Sequence, residues 1–150
     1  MNSQEEVKKS SKTKFKLALD SNIFRNYDFI NYLTLNKIKF QVFMPTIVQL
    51  EVGYYYIIRG ISWNEFVEDI KKFDGIFLHW DNSLISKVIQ NAFANKNQLP
   101  FKNHFRDFLI GTECEKIHTP LITYNKKHFT WVNKIKTFTP EEYLLEMTSK

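Results

Sequence analysis

The sequence predicts an α/β domain with a mainly parallel central sheet flanked by helices. Short apolar runs alternate along the chain with longer stretches of helical periodicity, which is the pattern of successive βαβ units. The composition is that of a globular protein, with 43% apolar and 25% charged residues. Gly and Pro number only 4 each, which disfavours long irregular loops.

The strands are the short apolar runs, and each ends at a turn-forming or helix-starting residue. Residues 1 to 14 are polar and lack apolar periodicity, so we expect a disordered tail before a single domain over 15–150. The predicted strands cover residues 15–20, 40–44, 76–80, 121–124 and 134–138.

The helices are marked by their starting and stopping residues. Pro45 and Thr46 start one helix that Gly60 stops, and Ser62 with Glu65 three residues later has the capping-box pattern. Asp81 is a further cap. The predicted helices cover residues 23–37, 45–59, 62–73, 81–94 and 105–117 and begin again at 139, with a polar loop over 95–103.

Several classes of protein are disfavoured by the composition. The single cysteine, Cys114, excludes an internal disulfide and a cysteine-based zinc site. The polar N-terminus does not resemble a signal peptide, and no apolar run approaches the roughly 18 residues of a membrane span. We therefore expect a cytoplasmic protein with no membrane partner.

The net charge of +5 is concentrated in one segment. Residues 94–137 hold eight Lys or Arg against three acids, while the rest of the chain is neutral with thirteen of each sign. The same segment holds Asp107 and Asn125, which are candidate site residues. A basic surface beside clustered acids indicates a polyanionic substrate. A solvated surface without function is the alternative on charge alone.

Polar residues follow two of the predicted strands. Asp20 ends the first strand, and Thr123 and Asn125 lie at the end of the fourth. Asp107 begins the helix before that strand, in its predicted first turn. Each has a structural alternative, since Asp20 and Asn125 are good helix caps and Asp107 would be favoured by the helix dipole.

Glu51 lies on the helix that starts at Thr46. Its position falls within an apolar stripe that we expect to face the sheet, made of Ile47, Leu50, Tyr54 and Ile58. A carboxylate there needs a metal, a cation or several donors. An ion pair with an internal Lys or Arg, or escape at the helix edge, is the structural alternative.

These acids have one feature in common, which is their predicted place at the carboxyl edge of a parallel sheet, where ligands collect. Carboxylates that share a pocket repel one another unless a hard cation lies between them. Oxygen ligands from Asp, Glu and Asn suit Mg²⁺ or Mn²⁺ rather than zinc. A metal held among basic residues indicates phosphate chemistry.

The sequence resembles the PIN-domain ribonucleases, of the kind found as VapC-like toxins, over residues 16–138. The first motif appears as LALDSNIF with Asp20, and the second as PTIVQLEVGY with Glu51. The third appears as FRDFLIGTECEKIHTPLITYNKKHF with Asp107, Thr123 and Asn125. Asn125 adds no charge where many family members have a fourth acid, which leaves open whether one or two metals bind.

The resemblance implies a metal-dependent endoribonuclease. One or two Mg²⁺ or Mn²⁺ ions on Asp20, Glu51 and Asp107 would activate water and leave a 5′-phosphate and a 3′-hydroxyl. Supporting roles go to Ser21, Asn22, Thr123 and Asn125, which would orient waters or ligands. The candidates for contacting the RNA backbone are Arg106, Lys126, Lys127 and His128.

The resemblance also implies partners, namely an RNA substrate, a second copy of the chain and a small antitoxin. We expect Tyr54 in the core and Tyr55 or Tyr56 at such an interface. A nuclease in RNA processing or acting on DNA, and a catalytically silent binding domain, are the alternatives. Replacing Asp20 or Asp107 by Asn should abolish cleavage and, by relieving repulsion, stabilise the protein before metal binds.

Overall fold

The computed structural model describes residues 13–150, so the predicted tail lies almost wholly outside the described residues. The α/β prediction is confirmed, with a five-stranded sheet in the order β3-β2-β1-β4-β5 and every pairing parallel. The strands are β1 Phe15–Leu19, β2 Phe40–Met44, β3 Ile76–Phe77, β4 Leu121–Ile122 and β5 Thr137–Phe138. The helices are α1 Tyr27–Leu35, α2 Thr46–Ile58, α3 Trp63–Lys71, α4 Asn82–Ala94, α5 Phe101–Lys116 and α6 Pro140–Thr148.

Strand β1 is the centre of the sheet and of the core. It pairs with β2 on one side and β4 on the other, and its last three residues, Leu17 to Leu19, are fully buried. A strand covered on both faces needs a continuous apolar run, which the sequence supplies. The carboxyl ends of β1 and β4 therefore lie side by side, with Asp20 after one and Thr123 after the other.

The predicted helix starts are largely confirmed. Ser62 and Glu65 form a complete capping box, Asp81 accepts from the Leu84 amide at 2.7 Å, and Thr139 caps α6. The predicted helix over 23–37 is instead divided at Asn26 into a 3₁₀ turn, Ser21–Arg25, and α1. The Asn26 side chain accepts from the Phe29 amide at 3.0 Å, which starts a new helix there.

Helix α5 begins at Phe101, four residues before its predicted start. Pro100 occupies the N-cap, and the Phe101 ring packs on Phe105 and Phe108 at centroid distances of 6.3 and 6.5 Å. Part of the predicted polar loop is thus helical. Asp107 lies in the second turn rather than the first, so the helix dipole is a weaker explanation for its position.

The buried face of α2 differs from the predicted one. Val48, Val52 and Gly53 are buried, whereas Leu50 and Tyr54 are 59% and 68% exposed. A Cβ on Gly53 would lie 2.8 Å from the Trp63 ring, so this small residue lets α3 approach α2 closely. The predicted stripe is therefore wrong at Leu50, Tyr54 and Ile58, and so is the placement of Tyr54 in the core, while Ile47 is partly buried against the core as predicted.

Two other local features are decided by the packing. Tyr56, one of the two tyrosines expected at an interface, is partly buried and donates to Asp69 at 2.7 Å, whereas Tyr55 is 36% exposed. On α5, Gly111 admits Trp131, since a Cβ there would lie 2.6 Å from the indole. Within residues 13–150, no helix combines the length and apolarity that crossing a membrane requires.

Candidate active site

Asp20 is the most enclosed acid at the carboxyl edge of the sheet. Its side chain is fully buried, and its Oδ1 accepts from the Ser21 amide at 2.7 Å, so the capping alternative is realised. Its Oδ2 accepts from the Thr123 hydroxyl at 2.7 Å, which ties the end of β1 to the end of β4. Asp20 is thus a helix cap and, at the same time, a fixed carboxylate at the carboxyl edge of the sheet.

Thr123 and its neighbours orient this carboxylate. The Thr123 hydroxyl oxygen accepts from the Asn125 amide at 3.0 Å and from the Asn22 side chain at 3.5 Å. Asn22 also accepts from the Tyr124 amide at 3.4 Å. Asn125 contributes its backbone, because its side chain is exposed and does not cap the following 3₁₀ turn within residues 13–150.

Arg106 lies at the centre of the three predicted acids. Its Nε donates to Glu51, and its terminal nitrogens donate to Asp20, to Glu51 at 2.9 Å and to Asp107 at 3.1 Å. It also donates to the Ser21 hydroxyl at 2.8 Å. Glu51 therefore has the ion pair that was its structural alternative, and Arg106 faces inward rather than toward solvent as a backbone-contacting residue would.

The surroundings of Arg106 favour its positively charged form. Burial of the guanidinium lowers its pKa, but the hydrogen bonds to Glu51 and Asp20 and their negative charges outweigh that effect. The pKa of Arg106 is consequently raised above its ordinary value. One positive charge thus offsets part of the repulsion among the three carboxylates.

Asp107 is in contact with two histidines as well. The Nδ1 atoms of His104 and His128 lie 3.4 and 3.3 Å from its Oδ2, and the two rings meet edge to face with centroids 5.8 Å apart. His104 is one turn before Asp107 on α5, while His128 comes from the 3₁₀ turn Lys126–Phe129. Asp107 is therefore enclosed by cationic or potentially cationic side chains.

The basic segment does not form one patch around these acids. Lys126 pairs with Glu142 at 2.8 Å, Lys116 with Asp81 at 2.6 Å, and Lys136 more loosely with Glu146 at 3.7 Å. Lys134 and Lys136 line a cleft of about 370 Å³ at the opposite, amino edge of the sheet. Of the two predicted backbone-contacting lysines, Lys127 is the exposed one, and it directly precedes His128, which contacts Asp107.

A second buried carboxylate lies outside this cluster. Glu113, also on α5, accepts from the Thr46 amide at 2.9 Å and from the Thr46 hydroxyl at 2.6 Å. It thereby caps α2, whose N-cap residue Pro45 has no side chain that can do so. Burial raises the pKa of Glu113 despite these hydrogen bonds.

The acids of the site are predictable from the sequence, but their full surroundings are not. Asp20, Glu51, Asp107 and Thr123 come together as predicted by position, and Arg106 is the unpredicted common partner of the three acids. His104 lies between the predicted loop over 95–103 and the predicted helix over 105–117. Its spacing of three residues from Asp107 indicates contact once the helix is extended to Phe101.

The fold and the site together define an α/β domain with a carboxylate cluster at the carboxyl edge of its sheet. No protein-family model matches the sequence, and no curated protein matches it. In fold, the chain is similar to PAE2754 from Pyrobaculum aerophilum, whose crystal structure matches with a TM-score of 0.58. The match has 14% sequence identity and covers 93% of this chain and 99% of that chain, so the likeness is one of fold alone.

Proposed function

We propose that this protein is a metal-dependent endoribonuclease that hydrolyses phosphodiester bonds. The observation that carries the proposal is that Asp20, Glu51 and Asp107, from three separate elements, all contact one guanidinium at the carboxyl edge of the sheet. Structural ion pairs rarely need three acids around one cation, because burying the extra charges is costly. A functional demand for clustered carboxylates explains why they are kept together.

The donor set fits a hard divalent cation. Carboxylate oxygens are the ligands that Mg²⁺ and Mn²⁺ prefer, and Asp20, Glu51 and Asp107 would hold the ion. Such an ion, when bound, activates water and offsets charge on the scissile phosphate. One ion is the simpler expectation, since Asn125 adds no charge to the cluster and Arg106 already supplies a positive charge.

Neighbouring residues orient the Asp20 carboxylate and supply basic groups near Asp107. Thr123 fixes the orientation of the Asp20 carboxylate, and Asn22 braces Thr123 from the other side. The exposed Lys127 and the next residue, His128, which contacts Asp107, would contact an RNA phosphate. Deep burial of Asp20 keeps its carboxylate away from bulk water, which strengthens its attraction for a cation.

Protein partners form part of the proposal. The resemblance to VapC-like toxins implies an antitoxin and a second copy of the chain. The support is an exposed apolar face on α2, formed by Leu50, Tyr54, Ile57 and Ile58. Light scattering on the purified chain tests self-association, and Tyr54→Ser, with Tyr124→Ser as an exposed control, should weaken it.

The direct test is cleavage of a labelled single-stranded RNA in EDTA, Mg²⁺ or Mn²⁺. Cleavage should need the metal, leave 5′-phosphate ends, and disappear in Asp107→Asn purified in the same way. Cleavage that persists in EDTA or in the variant would reject the proposal.

A catalytically silent nucleic-acid-binding domain is the second candidate. One observation favours it, because Arg106 contacts all three acids and so gives the cluster a counter-ion of its own. Salt-dependent RNA binding with no cleavage in any metal would support this candidate over the nuclease.

A further inference from the structure

Arg106 is the residue whose surroundings the proposed nuclease does not by itself explain. Each of its three guanidinium nitrogens donates to a carboxylate of the cluster. We propose that Arg106 is a built-in competitor of the divalent metal, which closes the carboxylate cluster until metal displaces the guanidinium. This inference rests on the proposed function, because it concerns the regulation of that same site.

The geometry supports competition rather than coexistence at the same place. A Mg²⁺-like ion draws its oxygen ligands to about 2.0–2.1 Å, whereas a guanidinium holds oxygens at hydrogen-bond distances from three separate nitrogens. In the part of the chain that the structure describes, no three Asp, Glu, His or Cys side chains are arranged closely enough to hold a metal ion. The carboxylates must therefore draw together, and the guanidinium lies in their way.

The exposure of the contacting side chains indicates which of them can move. Counting side-chain atoms alone, Arg106 and Glu51 are 26% and 31% exposed, against 0% for Asp20 and 7% for Asp107. Asp20 is fixed by the Ser21 amide and the Thr123 hydroxyl, while Arg106 is a long, flexible side chain on the outer side of the cluster. Rotation of Arg106 toward solvent opens the cluster without moving the backbone.

The displaced guanidinium of Arg106 would have a second role in binding the substrate. Turned toward solvent near His128, with which it shares the contact to Asp107, it would bind a phosphate oxygen of the substrate in a bidentate manner. Metal and RNA would then favour the same open position of Arg106. Only a small fraction of wild-type molecules would be open in the absence of metal. The apparent metal affinity of the wild type should therefore be lower than that of a cluster that is always open.

The test is Mn²⁺ binding to wild type, Arg106→Gln and Lys102→Gln, measured by electron paramagnetic resonance, with thermal unfolding in EDTA and in Mn²⁺. Lys102 is the control because it is exposed one turn earlier on the same helix. Arg106→Gln should bind Mn²⁺ at least about tenfold more tightly than wild type. It should also lose stability in EDTA and regain it with Mn²⁺, while Lys102→Gln should match wild type in both.

The two possible failures can be told apart. Equal or weaker Mn²⁺ binding by Arg106→Gln, with clear binding by wild type, overturns the competitor role and leaves the nuclease proposal standing. Absence of Mn²⁺ binding by every protein overturns both. If Arg106→Gln does not fold in EDTA, Arg106→Lys replaces it, because a single ammonium cannot contact all three acids and should also raise the affinity.

Discussion

Helix α5 carries two buried carboxylates six positions apart, and they are stabilised in opposite ways. Asp107, which is 5% exposed, lies among Arg106, His104 and His128. Glu113, which is 3% exposed, accepts from the neutral amide and hydroxyl of Thr46, the residue that starts α2. The first is part of a charged cluster, and the second is a helix cap built from a distant side chain.

The difference shows what burial alone can and cannot indicate. Both carboxylates lose water, and each needs compensation for that loss. Neutral hydrogen bonds leave the pKa of Glu113 raised by its burial, as expected of a structural acid whose charge is not required. Asp107 instead contacts the guanidinium of Arg106 and two imidazole rings, at the edge of the sheet where a metal or a phosphodiester could reach it. The charge of the neighbours, more than burial, distinguishes the two roles.

The largest expected effect is on cleavage. Asp107→Asn should reduce RNA cleavage at least about a hundredfold, because it removes a charged metal ligand, whereas Glu113→Gln should keep wild-type activity. Initial rates on one labelled RNA in Mn²⁺ measure both. Equal losses of cleavage rate in the two variants would show that the two carboxylates do not differ in function.

The next effect is on stability, and the structure reverses the direction expected from sequence. Asp20→Asn should destabilise the protein in EDTA by about 3 kcal/mol, since it removes the most buried of the three carboxylates that offset the charge of Arg106 rather than relieving repulsion. Urea unfolding in EDTA measures the change. A gain in stability would show that repulsion among the acids exceeds their attraction to Arg106.

A smaller effect concerns the pH dependence of stability. Because the folded-state pKa of Glu113 is raised above its ordinary value of 4.5, the folded state binds more protons between the two values. The free energy of unfolding of the wild type should therefore fall relative to Glu113→Gln as pH rises through that window, and the difference should stay constant above it. Urea unfolding between about pH 4 and pH 8 measures this difference. A difference that does not change with pH would contradict the expectation.

The smallest effect is on the salt dependence of RNA binding. Lys127→Gln should lower the slope of log Kd against log salt by about 0.7, the value for one phosphate contact on a single strand. Lys134→Gln, at the amino edge of the sheet, should leave the slope unchanged. Fluorescence anisotropy in EDTA compares them, and the opposite ranking would place the RNA at the amino edge.

The elements that were predicted well carry their own local signals. Strand β2 is followed directly by Pro45. The helix caps Ser62, Asp81 and Thr139 each accept a hydrogen bond from an amide three residues later. The wrong predictions concern tertiary packing. The predicted stripe on α2 is apolar, but the small residue Gly53 and its close approach to Trp63 decide which face of the helix is covered.

The site was predictable in its acids and not in its cations. Asp20 and Thr123 follow neighbouring parallel strands, so their proximity follows from topology. Arg106 is adjacent to Asp107 in sequence, and side chains at adjacent helical positions do not normally face the same way. Only the length and reach of its side chain bring the guanidinium back to Asp20 and Glu51, which no pattern in the sequence encodes.

One measurement tests the central claim, that the charged carboxylate cluster and not the capped carboxylate is a divalent-metal site. Mn²⁺ titration of wild type, Asp107→Asn and Glu113→Gln by electron paramagnetic resonance compares the two acids of α5 directly. We predict the same Kd for wild type and Glu113→Gln and no specific binding by Asp107→Asn. Equal binding by all three proteins, or loss of binding in Glu113→Gln alone, would contradict the assignment.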